Sequence, residues 1–124
     1  MREIPTTRVL GAQAEKKARD YLEQHGYRIL EINYRCRRGE IDIIAEEGEV
    51  LCFVEVRSLS STKHGHPLET ITRTKQRRIL WAAQVYLQTH QLELPSVRFD
   101  VIGIVNEVQQ EITLIRGAFD ATSG

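Results

Sequence analysis

Asp42 and Glu55 are the residues of this 124-residue chain whose types and surroundings could do chemistry. Each interrupts an apolar run that reads as a buried strand, Ile41-Asp42-Ile43-Ile44 and Leu51-Cys52-Phe53-Val54-Glu55-Val56. A lone desolvated carboxylate must be paired, protonated or bound to a cation. Two of them on neighbouring strands therefore point to a divalent-metal site. Arg57 follows Glu55 by two residues, which puts a positive charge on the same strand face. Two acids and a base are the groups that metal-assisted phosphodiester chemistry uses, the metal lowering the pKa of a bound water.

The elements must bring those groups together. Glu46-Glu47-Gly48-Glu49 reads as a tight turn between two antiparallel strands. Paired residue numbers in such a hairpin add to a constant. A loop at Glu47-Gly48 gives a sum of 95 and leaves Asp42 diagonal to Glu55, whereas a loop at Gly48-Glu49 gives 97 and sets them directly opposite. Either odd sum places both acids on one face, roughly 5 to 8 Å apart. An even sum would separate them.

Upstream, Leu10, Ala14, Ala18, Tyr21 and Leu22 recur at helical spacing over 9–25, with Gly26 as a stop. Glu15 borders that stripe, so its carboxylate can lean over the sheet edge towards Asp42. Standing alone, it would be an ordinary helix acid beside Lys16 and Arg19. Strands are expected over 27–33, 40–45, 50–57, 97–105 and 111–115, with an arginine-rich connection at 34–38 and a loop at 58–67. A second helix is expected over 68–90 and a break over 92–95. The order α-β-β-β-α-β-β predicts a single α/β domain over 1–124, with a mixed central sheet flanked by helices.

Hydrophobic content of 41% and charged content of 27% suit a globular chain. Cys36 and Cys52 form neither a zinc cluster nor a disulfide framework, and no apolar run approaches membrane-spanning length. The opening Met1-Arg2-Glu3-Ile4-Pro5 lacks the apolar stretch of a signal peptide, so the cytoplasm is the expected location. Net charge is zero, which argues against a generic polyanion binder, yet its distribution is uneven. Residues 1–38 carry +4, 39–56 carry −6, 57–78 carry +5 and 79–124 carry −3. A basic–acidic–basic order suits phosphates gripped around an acidic centre. Arg35, Arg37 and Arg38, with Arg73, Lys75, Arg77 and Arg78, are the nucleic-acid-binding candidates, because arginine donates two parallel bonds to phosphate.

His64-Gly65-His66 reads as a turn, and Trp81 and Tyr86 as core. Asp100 is a further interior acid or an edge device. No glycine-rich phosphate loop or serine–histidine pattern points to other hydrolases.

The ordered set Gly11 with Glu15, Tyr21-Leu22, Gly26-Tyr27, Asn33-Tyr34-Arg35, Gly39-Glu40-Ile41-Asp42, Phe53-Val54-Glu55-Val56, Gly65, Pro67, Lys75, Arg78-Ile79 and Arg98-Phe99-Asp100-Val101 resembles the YraN family of bacterial proteins. That family is related to the restriction-endonuclease-like and Holliday-junction-resolvase superfamily. The resemblance implies a restriction-endonuclease-like core and DNA as partner, with no membrane; a homodimer is compatible with it. It also implies that Glu15, Asp42, Glu55 and Arg57 are catalytic, with magnesium or manganese held by Asp42 and Glu55. Arg57 stands where such sites carry lysine. Arginine keeps its charge at any working pH, so it can stabilise phosphate charge but cannot take a proton. Position 59, where a further base could follow, is Leu59. Two functions are therefore carried forward. One is a magnesium-dependent endonuclease, with branched DNA as a candidate substrate, and the other a nucleic-acid-binding protein that keeps the fold without turnover. A third reading, a structural domain, would pair Glu55 with Arg57.

Overall fold

The computed structural model describes residues 7–61, 63, 65–92, 96–106 and 110–120. Helix α1 (Thr7–Gln24) leads into β1 (Tyr27–Cys36), β2 (Gly39–Glu47) and β3 (Val50–Leu59). A short 3-10 helix (Pro67–Thr70) precedes α2 (Arg73–Thr89), and β4 (Ser96–Asn106) and β5 (Gln110–Phe119) complete the fold. The five strands form one sheet in the order β1-β2-β3-β4-β5. Neighbours are antiparallel except β3 and β4, which run parallel. A parallel neighbour cannot be reached by a hairpin, and α2 supplies the crossover. The expected mixed α/β architecture is thus observed.

Both sheet faces are covered. Ala14, Ala18 and Leu22 of α1 pack on Ile43, Ala45, Cys52, Val54, Ile102 and Ile104. Ile79, Ala82, Ala83 and Tyr86 of α2 pack on Ile41, Ile44, Leu51, Phe53 and Phe99. Burial on both faces explains why β3 and β4 read as near-continuous apolar runs. Gly39 lets β2 touch α2, since a Cβ there would sit 2.0 Å from the Arg78 carbonyl oxygen.

Several boundaries differ from the sequence expectation, among them β3, which runs to Leu59 through the start of the expected 58–67 loop. β1 continues to Cys36, paired with Gly39, so the arginine-rich connection is mostly strand and the turn is Arg37-Arg38. α2 begins at Arg73 because the Thr72 side chain accepts from the Lys75 backbone N–H and caps the helix there. The preceding turn is separate: Pro67 opens it, and the His66 side chain and Glu69 cap it reciprocally. β5 extends past Ile115 to Phe119 by way of an irregularity, with Phe99 opposite Phe119 and Val101 opposite Ile115. β1 carries its own bulge at Leu30, between the pairs Ile29↔Ala45 and Glu31↔Ile44. Trp81 departs from the core expectation. It is 42% exposed, with the Arg38 guanidinium over its ring at 5.0 Å. The opening residues, His64, the break at 93–95 and the side chains of Val9 and Leu10 lie outside the described residues. No described helix is long and apolar enough to cross a membrane.

Candidate active site

The β2–β3 hairpin adopts the sum of 97, from Glu47↔Val50 to Ile43↔Val54, with the turn at Gly48-Glu49. Gly48 has φ +60, the left-handed value a two-residue hairpin loop demands. Extending that register sets Asp42 against Glu55, one step beyond the last ladder pair. Regular alternation does not survive to that point: Ile43 packs on the α1 side, but Ile41 packs on the α2 side. The break coincides with Asn33, opposite Asp42 in β1, whose φ of 52 is also left-handed.

The two acids meet where the ladder ends. Asp42 Oδ2 accepts the backbone N–H of Val56 at 2.8 Å, taking the place of a ladder carbonyl. The Asp42 and Glu55 carboxyl groups lie close enough to shift one another's protonation. Glu55 is 3% exposed. Burial first, then the Asp42 charge, push its carboxyl up to about 8, against the opposing pull of Lys75. Burial also raises Asp42, while the Val56 amide and Lys75 pull it down. The pair binds one proton more readily than two separate carboxyls would, because like charges this close resist joint ionisation.

The cation at the pair comes from α2. Lys75 Nζ lies 3.5 Å from Glu55 Oε1 and 3.7 Å from Glu40 Oε1. Arg57 instead donates from Nε to Thr70 Oγ1 at 2.9 Å, and Thr70 in turn donates to the Pro67 carbonyl. Glu15 accepts from Asn33 Nδ2 at 3.1 Å. With Asp42, Gly11, Ala14, Val56 and Ser58, it lines a hollow of about 230 Å³ on the α1 side. Asp42, at the parting of the strands, thus adjoins both Glu55 and that hollow. Arg35, Arg37, Arg38, Arg73, Arg77 and Arg78 are exposed. Arg35 is 3.6 Å from Glu40.

Residues 14–104 match the model of the uncharacterised protein family UPF0102, a span containing Glu15, Asp42, Glu55, Arg57 and Lys75. The chain belongs to UPF0102. A UPF0102 protein of Chromohalobacter salexigens is 44% identical over 112 residues, 90% of each chain. One of Persephonella marina is 48% identical over 112 residues, 90% of this chain and 94% of its own. Another, of Chlorobium limicola, is 51% identical over 96 residues, 77% of this chain and 74% of its own.

The donor set of this UPF0102 chain suits a hard divalent cation. Asp42 and Glu55 offer adjacent carboxylate oxygens whose mutual repulsion a cation would relieve. Among the described residues, no group of three His, Cys, Asp or Glu side chains is placed to hold a metal. Two carboxylates, with water and substrate phosphate completing the shell, is the mode magnesium commonly adopts.

A second polar cluster gathers distant parts of the chain around Asp100, the further interior acid of the two readings the sequence left open. Asp100 is fully buried and receives two bonds from Arg98, at 2.8 and 2.9 Å, one from the Tyr27 hydroxyl and one from the Gly117 amide. Arg98 also reaches Glu47 Oε1 at 2.6 Å, and Arg116 donates to both Glu47 oxygens. Arg116, then Arg98, hold Glu47 down to about 2, against burial. Burial raises the Tyr27 hydroxyl and pushes the Cys52 thiol up to about 12, which makes that thiol inert. Here a buried acid is satisfied by fixed cations and donors. That full pairing separates the structural Asp100 from the under-compensated Asp42 and Glu55.

Proposed function

We propose that this UPF0102 protein is a divalent-metal-dependent endonuclease acting on DNA phosphodiester bonds, within the restriction-endonuclease-like and Holliday-junction-resolvase superfamily. What supports the reading is the pairing of half-buried Asp42 with buried Glu55, two carboxyl groups close enough to perturb one another, with the Lys75 ammonium 3.5 Å from Glu55. A stable core has no use for such a pair, since well-packed apolar residues would serve it better.

Asp42 and Glu55 hold magnesium or manganese in this reading. The bound metal supplies a water of lowered pKa and a counter-charge for the phosphate. The chain does the rest. The Val56 amide fixes one Asp42 oxygen, and with it the orientation of the carboxyl. Lys75, steadied by Glu40, places positive charge where phosphate oxygens would lie and favours the more anionic transition state. Arg57, fixed by Thr70, offers a further donor at the mouth of the site. Glu15, fixed by Asn33, orients solvent on the α1 side. Arg35, Arg37, Arg38, Arg73, Arg77 and Arg78 supply the outer phosphate contacts.

Arg57 in place of lysine favours a binding module without turnover. Lys75 beside Glu55 supports the enzymatic reading instead. The structural reading that pairs Glu55 with Arg57 loses its basis, because Arg57 bonds to Thr70 and Glu55 to Lys75.

Linear, nicked, flapped and four-way DNAs incubated with magnesium or manganese test the proposal. Cleavage of at least one substrate is expected, lost in Asp42→Asn. No cleavage of any of them with either metal, alongside measurable DNA binding, would establish the non-catalytic alternative.

A further inference from the structure

The hollow lined by Glu15 and Asp42 shares Gly11, Ala14 and Ser58 with a second one of about 370 Å³. The second continues over Ile104 to Lys17, Ser60 and Asn106. Its floor is apolar, since Ala14 and Ile104 are buried. Its rim is polar, with Lys17, Ser60 and Asn106 exposed and the Asn106 amide donating to the Ser58 hydroxyl at 3.0 Å. Gly11 stands within α1, where alanine would serve the helix better. No neighbour demands a glycine there, because a Cβ at that position meets nothing within 4 Å. The missing side chain leaves the wall of the cleft bare.

A volume near 370 Å³ falls within the ~300–1,000 Å³ of cavities that enclose one small ligand, and it cannot admit a duplex. An apolar floor, a rim of amide and hydroxyl groups and one ammonium match the needs of a single nucleotide. A ring laid on the floor would have its edge at Ser60 and at Asn106, whose amide is held by Ser58 and Gln110, and its phosphate at Lys17. We propose that this cleft receives an unpaired nucleotide adjoining the phosphodiester held at Asp42 and Glu55. The preferred substrate is then DNA with an unpaired or extruded nucleotide at the point of cleavage, in place of uninterrupted duplex. The inference rests on the nuclease reading for the identity of the polymer.

Fluorescence titration in calcium tests it, with a short duplex carrying one unpaired fluorescent purine and its fully paired counterpart. The intact protein is expected to bind the bulged duplex roughly tenfold more tightly and to change its emission. Gly11→Leu should erase that preference with the melting temperature undiminished, because leucine favours the helix. Lys17→Ala should weaken binding of the bulged duplex alone. A folded Gly11→Leu protein that keeps the preference, or an intact protein that shows none, overturns the assignment. The titration needs no turnover. If no DNA is cut but the Gly11-dependent preference holds, the nuclease reading fails and the cleft assignment stands. If paired DNA is cut as fast as bulged DNA and Gly11→Leu binds both normally, the cleft assignment alone fails.

Discussion

Glu55 makes the metal-free protein lose stability as pH rises, the reverse of the behaviour of a salt-bridged carboxylate. Its folded carboxyl is raised from 4.5 to about 8. Between those values the native state holds a proton that the unfolded chain has released, so the slope of unfolding free energy against pH is negative. The stabilisation is fully present below about pH 4.5 and gone above about pH 8. Each tenfold difference in proton affinity between the folded and unfolded states is worth about 1.4 kcal/mol, which sets a ceiling of about 5 kcal/mol for the whole window. Asp42 is only half-buried, so screening takes part of that, and a fall of about 2–3 kcal/mol is expected. Urea unfolding in EDTA at successive pH values measures it. Asp42→Asn keeps the shape and an acceptor for the Val56 amide but removes the neighbouring charge. It should therefore reduce the fall without abolishing it, since burial is the larger cause. Comparing the two proteins cancels the histidines. A wild-type slope that is flat or positive after this cancellation, or identical slopes in both proteins, would refute the reasoning.

Lys75→Met should lower metal-dependent cleavage about a hundredfold, as loss of one transition-state donor does, while Arg57→Lys stays within a few-fold of wild type; single-turnover rates with manganese decide. Glu47→Gln should cost about 1–2 kcal/mol at neutral pH and flatten the loss of stability between pH ~4.5 and ~2, because Arg116 and Arg98 hold that carboxyl at about 2. Acid titration of the circular dichroism signal checks it. Gly39→Ala should destabilise by about 1–3 kcal/mol, read in urea, because its Cβ meets the rigid Arg78 carbonyl at 2.0 Å. Replacing Arg73, Arg77 and Arg78 together by alanine should lower the salt slope of DNA binding by about 2–3, measured by titration at several salt concentrations.

The order of elements was legible because strands buried on two faces and an amphipathic helix leave strong patterns. Asp42 and Glu55 stood out for the same reason, as charges in apolar runs. Hairpin parity presumes even alternation, which fails between Ile41 and Ile43. The acids meet because the ladder opens and Asp42 caps Val56, and strand periodicity does not encode that. Lys75 lies twenty residues from Glu55 across a crossover. Only the Thr72 cap, which fixes the first turn of α2, hints at where its side chain goes. The Arg98–Asp100–Tyr27–Glu47–Arg116 cluster joins separate parts of the chain. Asp100 alone draws notice in its own segment, as an acid beside an apolar run, so local reading could not assemble the rest. Trp81 is ambiguous in the sequence because an aromatic among alanines fits either side of a helix.

The bulge at Leu30, the left-handed Asn33 and the Gly117 turn of β5, at φ +63, all fall on the two outermost strands. A chain with no net charge has no long-range repulsion to keep its copies apart in a crowded solution. Its open borders also present Leu30 and Ile32, both more than a third exposed. A straight border would offer an incoming strand an uninterrupted row of donors and acceptors, the template from which fibrils grow. Here each border is kinked within a few residues, so a second molecule can match only a short run before the spacing fails. Protection against self-templating is thus built into backbone shape, leaving surface charge free for other uses.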